Sequence, residues 1–212
     1  MFEADPGRRN ALLGGTDGLE IRRVLDLGCG AGQEMLPFVT LGAQCIGMDI
    51  MPEVGQVGRK LFNEAGFGQR VEFLRGSGND LPFLDESFDV LICRGALMFM
   101  DNRKALGEMA RIIRPGGRLL LMYQSPAYYW WKFKDGLRNR YYLSSIHSAR
   151  VAFGGLIYKF TGVQPFNRIT AGGEIFQTKS TLEREFARIG LKIVGEMPDS
   201  NNQTPSLVIA KE

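Results

Sequence analysis

Residues 24–33 read Val24-Leu-Asp-Leu-Gly-Cys-Gly-Ala-Gly-Gln33. Val24, Leu25 and Leu27 have the character of a buried strand, and Gly28, Gly30 and Gly32 follow at once, before an amphipathic stretch opens at Glu34. A glycine turn between a strand and a helix lets backbone come close to a ligand, and the first turn of the helix offers unpaired N–H groups. Asp49 closes the next apolar run. A carboxylate at that position can accept hydrogen bonds from both hydroxyls of a ribose. Together these features point to an adenosine-containing ligand.

Outward from this stretch, short apolar runs alternate with longer amphipathic ones, the pattern of βα units that build a mostly parallel sheet. Residues 23–27, 44–49, 71–75, 88–93 and 118–123 read as five strands. Helices are expected over 34–41, 52–65 and 103–114, the last stopped by Pro115-Gly116-Gly117. Ser180 with Glu183 offers a capping box for a helix to Ile189, ended by Gly190. Residues 191–197 and 206–210 then read as two strands joined by a polar turn, an antiparallel hairpin. Residues 124–178 interrupt this scheme, too long for a simple connection and expected to form a helical cap over the sheet edge. One domain follows, its ligand-binding core built from 20–123 and 179–212 and its substrate cap from 124–178.

Two positions discriminate among adenosine ligands. A dinucleotide fingerprint places its third glycine three residues after its second, whereas here residue 33 is Gln. Asp26 lies two residues before Gly28, where a carboxylate would repel a pyrophosphate but suit an ammonium group. S-adenosylmethionine carries an ammonium and a sulfonium and no phosphate, so it fits better than a nicotinamide dinucleotide.

Four blocks in order, residues 24–33, 45–50, 81–90 (Leu81-Pro-Phe-Leu-Asp-Glu-Ser-Phe-Asp-Val90) and 108–117 (Glu108-Met-Ala-Arg-Ile-Ile-Arg-Pro-Gly-Gly117), give the chain a resemblance to a known family. It resembles the class I S-adenosylmethionine-dependent methyltransferases, in the small single-domain type related to ubiquinone/menaquinone methyltransferases. The resemblance is clear over 22–123 and looser over 180–211. It implies an α/β, Rossmann-like fold: a seven-stranded, mostly parallel sheet with the last strand antiparallel, helices on both faces, and here a helical cap after the fifth strand. It assigns Asp26, Gly28 and Gly30 to the methionine end of the cofactor, Asp49 to the ribose and Ile50 to adenine. The candidate cofactor contacts are Asp26, Gly28, Cys29, Gly30, Gln33, Asp49, Ile50, Ser77, Gly78, Asn79 and Arg94. The chain departs from the family pattern at Ser77, where an Asp usually accepts from the adenine amino group; Ser77 is shorter and neutral, leaving that contact to water or to Asn79. It also has a short lead before the first strand, where relatives carry one or two helices.

The chain has 212 residues, 44% hydrophobic and 23% charged, which fits one globular domain and excludes disorder and collagen. Its net charge of +3 hides an uneven distribution. Residues 123–170 hold seven Lys or Arg against one Asp, together with all six Tyr and both Trp, so the rest of the chain is net acidic. Cys29, Cys45 and Cys93 are odd in number and lack C-x-x-C spacing, which suggests neither disulfides nor a zinc site. Residues 1–19 do not read as a signal peptide, and no run reaches the length of a membrane span, so a cytoplasmic protein is expected.

The expected chemistry is methyl transfer to a small-molecule acceptor lying under the 124–178 cap, aromatic or lipidic with an anionic portion to match the basic, aromatic cap. RNA methylation is the alternative, since basic residues interleaved with aromatics also suit single-stranded RNA, but no separate RNA-binding module is visible. A non-catalytic S-adenosylmethionine-binding role is the reading from another class, kept open by Ser77. Residues 149–160 are apolar between Arg150 and Lys159, which suits peripheral contact with a membrane surface. His147, the only histidine, is the one candidate general base, against a default role as a surface or packing residue. Acceptor identity, general base and oligomeric state are left open by the residues.

Overall fold

The computed structural model describes residues 6–166 and 169–212. The first five residues of the N-terminal stretch and residues 167–168 of the cap lie outside the described part. Seven strands, β1 (Arg23–Leu27), β2 (Gln44–Asp49), β3 (Val71–Arg75), β4 (Phe88–Arg94), β5 (Ile113–Met122), β6 (Leu191–Glu196) and β7 (Ser206–Lys211), form one sheet in the order β3-β2-β1-β4-β5-β7-β6. The first five run parallel, and β7 is antiparallel to both β5 and β6. The seven-stranded sheet with an antiparallel last strand is therefore as expected.

The strand order reverses between β1 and β4, so the two βα crossovers leave in opposite directions and open a crevice beyond the carboxyl ends of these strands. β4 is buried along its whole length up to Arg94, as a central strand covered on both faces must be. Apolar clusters pack on either side of the sheet, one around Leu25, Leu91 and Leu121 and the other around Val24, Phe38, Phe62 and Val90.

The helices are α1 (Pro6–Gly14), α2 (Leu36–Thr40), α3 (Pro52–Glu64), α4 (Asn102–Ile112), α5 (Pro126–Arg138), α6 (Tyr142–Thr161) and α7 (Lys179–Ala187). Four expectations change in detail. The short lead carries a helix after all: α1 buries Ala11 and Leu12 in the second cluster. The helix after the glycine turn is broken into a 3-10 turn, Gln33–Met35, and the five residues of α2, with Pro37 near the start of the latter. The helix expected to 114 ends at Ile112, because Ile113 is already extended, and the Pro-Gly-Gly lies inside β5 with Gly116 at φ +77°. The cap of α7 is Thr178, not Ser180. Thr178 Oγ1 accepts from the Thr181 N–H at 3.2 Å, and Thr181 Oγ1 accepts from the Thr178 N–H at 3.0 Å. A threonine hydroxyl at the third helical position reaches back as a Glu would.

Two of the four motif blocks turn out to lock the fold. Glu108 accepts from the Leu81 N–H at 2.8 Å, while Arg111 donates to the carbonyls of Leu81 and Phe83 and pairs with Glu108 and Asp85. The Arg111 guanidinium holds the Glu108 carboxyl below its usual range. Asp89 accepts from the N–H groups of Arg22 and Arg23, at 2.6 and 2.7 Å, and from the Arg114 guanidinium. Burial alone would push this carboxyl up, but hydrogen bonds from Arg23, Arg114 and Arg22 hold it below the usual range.

Candidate active site

The glycine turn sits at the crevice. Gly28, Gly30 and Gly32 have φ of +75°, +52° and +83°, a region that side chains disfavour. At Gly28 the requirement is double, since a Cβ there would stand 2.3 Å from the Ala96 Cβ. The turn is pinned to β2: the N–H groups of Gly28 and Cys29 donate to the Met48 carbonyl at 2.7 and 3.2 Å. Asp49 joins two loops, accepting from the Gly30 N–H on Oδ2 and from the Met51 N–H on Oδ1, both at 3.0 Å. Each oxygen keeps a further lone pair for a ligand.

Beside this carboxylate lies a cavity of about 510 Å³ lined by Leu27, Gly28, Met48, Asp49, Ile50, Met51, Gly76, Ser77, Gly78, Asn79, Gly95, Ala96, Phe99 and Met100. Ile50, Phe99 and Met100 give it the apolar walls an adenine needs, and Gly78 leaves room that a Cβ, 2.6 Å from Met100 Sδ, would fill. Ser77 is exposed, its Oγ accepting from the Asn79 N–H at 3.3 Å, and Asn79 Oδ1 already accepts from the Asp101 N–H at 3.0 Å. The structure therefore brings seven of the expected contacts to one cavity: Gly28, Asp49, Ile50, Ser77, Gly78 and Asn79 on its wall, and Gly30 through its bond to Asp49.

Asp26, not on that wall but directly before Leu27 and Gly28 in the chain, is the most informative. It is 1% exposed, and its Oδ2 has no hydrogen-bond partner. Burial first, then the charges of Glu34 and Asp49, push its carboxyl well above the usual range, with Arg94 opposing. A buried carboxylate left without a donor is costly, and a cationic ligand group would remove that cost. The ammonium of S-adenosylmethionine is such a group, so the residues present fit this cofactor.

The remaining three expected contacts lie differently. The Arg94 guanidinium is buried and not on the wall of this cavity, paired with Glu34 at 3.3 Å and with Asp199. Glu34 also meets Arg8 at 3.5 Å, so the network ties α1, the glycine loop, β4 and the turn before β7 together. Backbone at Gly95 and Ala96 takes the place beside the cavity. Gln33 is exposed and outside the cavity wall. Cys29 is buried, its Sγ 3.4 Å from the Gly30 carbonyl, and burial pushes its thiol up. Cys45 and Cys93 are likewise free and buried, their thiols pushed up to about 12. Among the described residues no cluster of His, Cys, Asp or Glu could hold a metal.

Over the end of β5 the cap contributes groups that the sequence left unmarked. Tyr129 donates to Glu174 Oε1 at 2.9 Å and approaches Met98 Sδ at 3.4 Å, in the segment that carries Gly95 and Ala96. Glu174 Oε2 is 3.1 Å from His147 Nε2, so the lone histidine belongs to a Tyr129–Glu174–His147 chain rather than to the cofactor cavity. Gln124, two residues past the end of β5, and Gln177 are buried amides with an unpaired Oε1 and Nε2 respectively, joined by the Gln177 N–H donating to the Gln124 carbonyl at 3.0 Å. Only the position of Gln124 at a parallel strand's carboxyl end could have signalled it in advance.

Comparison with known proteins agrees with this geometry. A family described as "Methyltransferase domain" matches residues 25–121. The demethylmenaquinone methyltransferase of Thermus thermophilus is 32% identical over 179 residues, covering 83% of this chain and 77% of that protein. The uncharacterized methyltransferase YcgJ of Bacillus subtilis is 43% identical over 101 residues, but this is 47% of the chain and only 40% of the relative. The chain thus spans about two fifths of the length of several curated relatives it matches. Among solved structures, YcgJ superposes with a TM-score of 0.63 at 21% identity, over 96% of this chain and 95% of that one. A geranyl diphosphate methyltransferase in complex with S-adenosylmethionine does so with 0.68 at 13% identity, over 97% and 84%. With the sheet order, the glycine turn, the paired Asp26 and Asp49 positions and a relative aligned over most of both chains, the protein belongs to the class I S-adenosylmethionine-dependent methyltransferases.

Proposed function

We propose that this chain transfers a methyl group from S-adenosylmethionine to a small-molecule acceptor, aromatic or lipidic and carrying an anionic portion, held between the cofactor crevice and the α5–α6 cap. The observation that carries the reading is the buried, unpaired Asp26 carboxylate at the foot of a loop whose Gly28 admits no side chain. The bound cofactor supplies a methyl carbon already activated by a sulfonium leaving group. The protein's part is to align, to desolvate and to hold charge. Asp26 would hold the ammonium, Asp49 the ribose hydroxyls, and Ile50, Phe99 and Met100 the adenine. Tyr129, Gln124 and Gln177 are buried where the cap meets the end of β5, and we assign their amide and hydroxyl groups to a polar ring substituent of the acceptor. No base is required where the acceptor ionises by itself, and none is assigned to the core. The relatives named for quinone precursors support the acceptor class only as an analogy.

Isothermal titration tests the reading. S-adenosylmethionine is expected to bind the wild-type chain, and Asp49→Ala is expected to weaken it about 100-fold, about 2.7 kcal/mol. Absence of binding to the wild type, or identical binding by the variant, would overturn it. Transfer of labelled methyl to a panel of prenylated phenols and aromatic acids then tests the acceptor class, with single-stranded RNA as the competing acceptor.

A further inference from the structure

The cap is built inside out. The face of α6 that meets the protein is small or polar: Ser145, Ser148, Gly154 and Gly155 are buried there beside Val151 and Tyr158. Gly155 permits this approach, since a Cβ on it would stand 2.4 Å from the Phe176 ring. The opposite face carries an apolar stripe at helical spacing, Tyr142, Ile146, Phe153, Leu156 and Phe160, flanked by Leu143, which is 84% exposed. Across from it α5 presents Trp130, 61% exposed and stacked on Phe133 with ring centroids 5.9 Å apart. Two apolar hollows of about 610 and 520 Å³ lie between the helices and share Phe133, Ala149 and Phe153 as one continuous groove. An apolar surface of this extent is unusual on an isolated soluble domain.

The charges around it have one sign. Lys134 lies 5.4 Å from the Trp130 ring and Lys159 5.8 Å from the Phe160 ring, Lys159 and Arg150 line the groove, and Lys132, Arg138 and Arg140 belong to the same helix pair and its turn. Among the described residues none of these six forms an ion pair with a carboxylate. Asp135 is the only acidic residue on α5 or α6, and it accepts from Asn139.

We propose that the α5–α6 face docks on the surface of an anionic lipid bilayer, its Tyr142–Phe160 stripe and Trp130 entering the headgroup boundary and its Lys and Arg rim meeting lipid phosphates. A second copy of the chain would bring two such cationic rims together. RNA would match the charge and the aromatics but would leave the aliphatic Leu143, Ile146 and Leu156 in water. A bilayer surface satisfies both. Among the described residues no helix is long and apolar enough to cross a membrane, so the contact is peripheral. Tyr129 lines the groove with its ring and reaches Met98 with its hydroxyl, so the docked face leads toward the reacting end. For this purpose, though not for binding itself, the proposal rests on the lipidic acceptor proposed above.

Cosedimentation of the full chain with vesicles tests it. Vesicles of phosphatidylcholine with about one third phosphatidylglycerol are expected to bind at least about tenfold more protein than pure phosphatidylcholine, with binding falling as salt rises. The double variant Leu143→Glu/Phe160→Glu changes only exposed side chains and is expected to lose about tenfold in vesicle binding while keeping its melting temperature and its S-adenosylmethionine affinity. No binding of the wild type to anionic vesicles at low salt overturns the proposal. So does binding lost on Lys134→Glu/Lys159→Glu but unchanged in the apolar double variant, which would mean charge alone. Displacement from vesicles by single-stranded RNA, or a dimer in sedimentation velocity that the apolar variant abolishes, overturns it in favour of those partners. Vesicle binding by a chain that fails to bind S-adenosylmethionine would leave docking standing and overturn the proposed function alone.

Discussion

In the core of this protein Arg94, Asp89, Glu108 and Glu185 are tied into ion pairs, whereas among the described residues of the cap six cations beside an apolar groove have no carboxylate partner. Arg94, Asp89, Glu108 and Glu185 each bridge separate elements, Glu185 meeting Arg103, Arg184 and Arg188. The ammonium groups of Lys134 and Lys159 lie over aromatic rings. A satisfied buried charge reports on the fold, and an unsatisfied one reports on something that arrives later. Asp26 is the exception that marks the core's own site, for its Oδ2 has no hydrogen-bond partner and, unlike Glu34 and Asp199, it forms no ion pair among the described residues.

Substitutions can break this contrast. The largest effect is expected for Arg94→Met, which strands the Glu34 and Asp199 carboxylates and should destabilise the fold by about 3–5 kcal/mol in urea unfolding. Retained stability would mean that the network is not what joins β4 to the turn before β7. Gly28→Ala places a methyl group against Ala96 at a positive φ and should reduce cofactor affinity by about 100-fold, 2.7 kcal/mol, in titration calorimetry.

Asp26→Asn should act in two directions, weakening the cofactor by about tenfold while stabilising the cofactor-free chain by about 1 kcal/mol. Its pH signature follows from the direction of the shift. The folded chain holds the Asp26 proton more tightly than the unfolded one, so stability falls as pH rises above about 4 toward the raised folded value. Over the same window cofactor affinity rises, because the carboxyl must ionise to meet an ammonium. The amide of the Asp26→Asn variant does not titrate and so removes both slopes; slopes unchanged in thermal melts and calorimetry would show that Asp26 carries neither. Asp89 works oppositely, adding stability above about 4 that is lost as pH falls through its lowered folded value.

His147→Gln is expected to cost about 0.5–1 kcal/mol, the worth of a partly exposed pair with Glu174. A bell-shaped rate profile that loses one limb in this variant would instead make it a base. Smallest of all, Lys134→Ala should leave stability within about 0.5 kcal/mol, because its charge has no carboxylate partner among the described residues and only an exposed ring contact with Trp130 to lose.

Much of the fold was legible because its signals are local. Apolar runs of five or six residues at βα spacing marked the seven strands, and the strand-glycine-carboxylate stretch placed the crevice. Helix ends were less legible. Thr178 outcompeted Ser180 as a cap because Thr181 returns the bond, and α4 stopped early because Ile113 extends into a strand that then absorbs Pro115. The ion pairs of the Arg94 side chain were not legible, since Glu34 and Asp199 come from distant segments. Gln33, at the glycine turn, is exposed and lies outside the cavity wall. Gln124, Gln177, Tyr129 and Glu174 carry no motif, and only three-dimensional packing makes them neighbours.

The sequence by itself determined the family, the cofactor chemistry and the partition of charge between an acidic core and a basic, aromatic cap, because each is carried by residue types at short spacing. Tertiary structure alone decided which charges are spent on one another and which apolar faces stay uncovered. The reason is that pairing and burial depend on contacts between residues far apart in the chain, such as Arg94 with Asp199 and Tyr129 with Glu174.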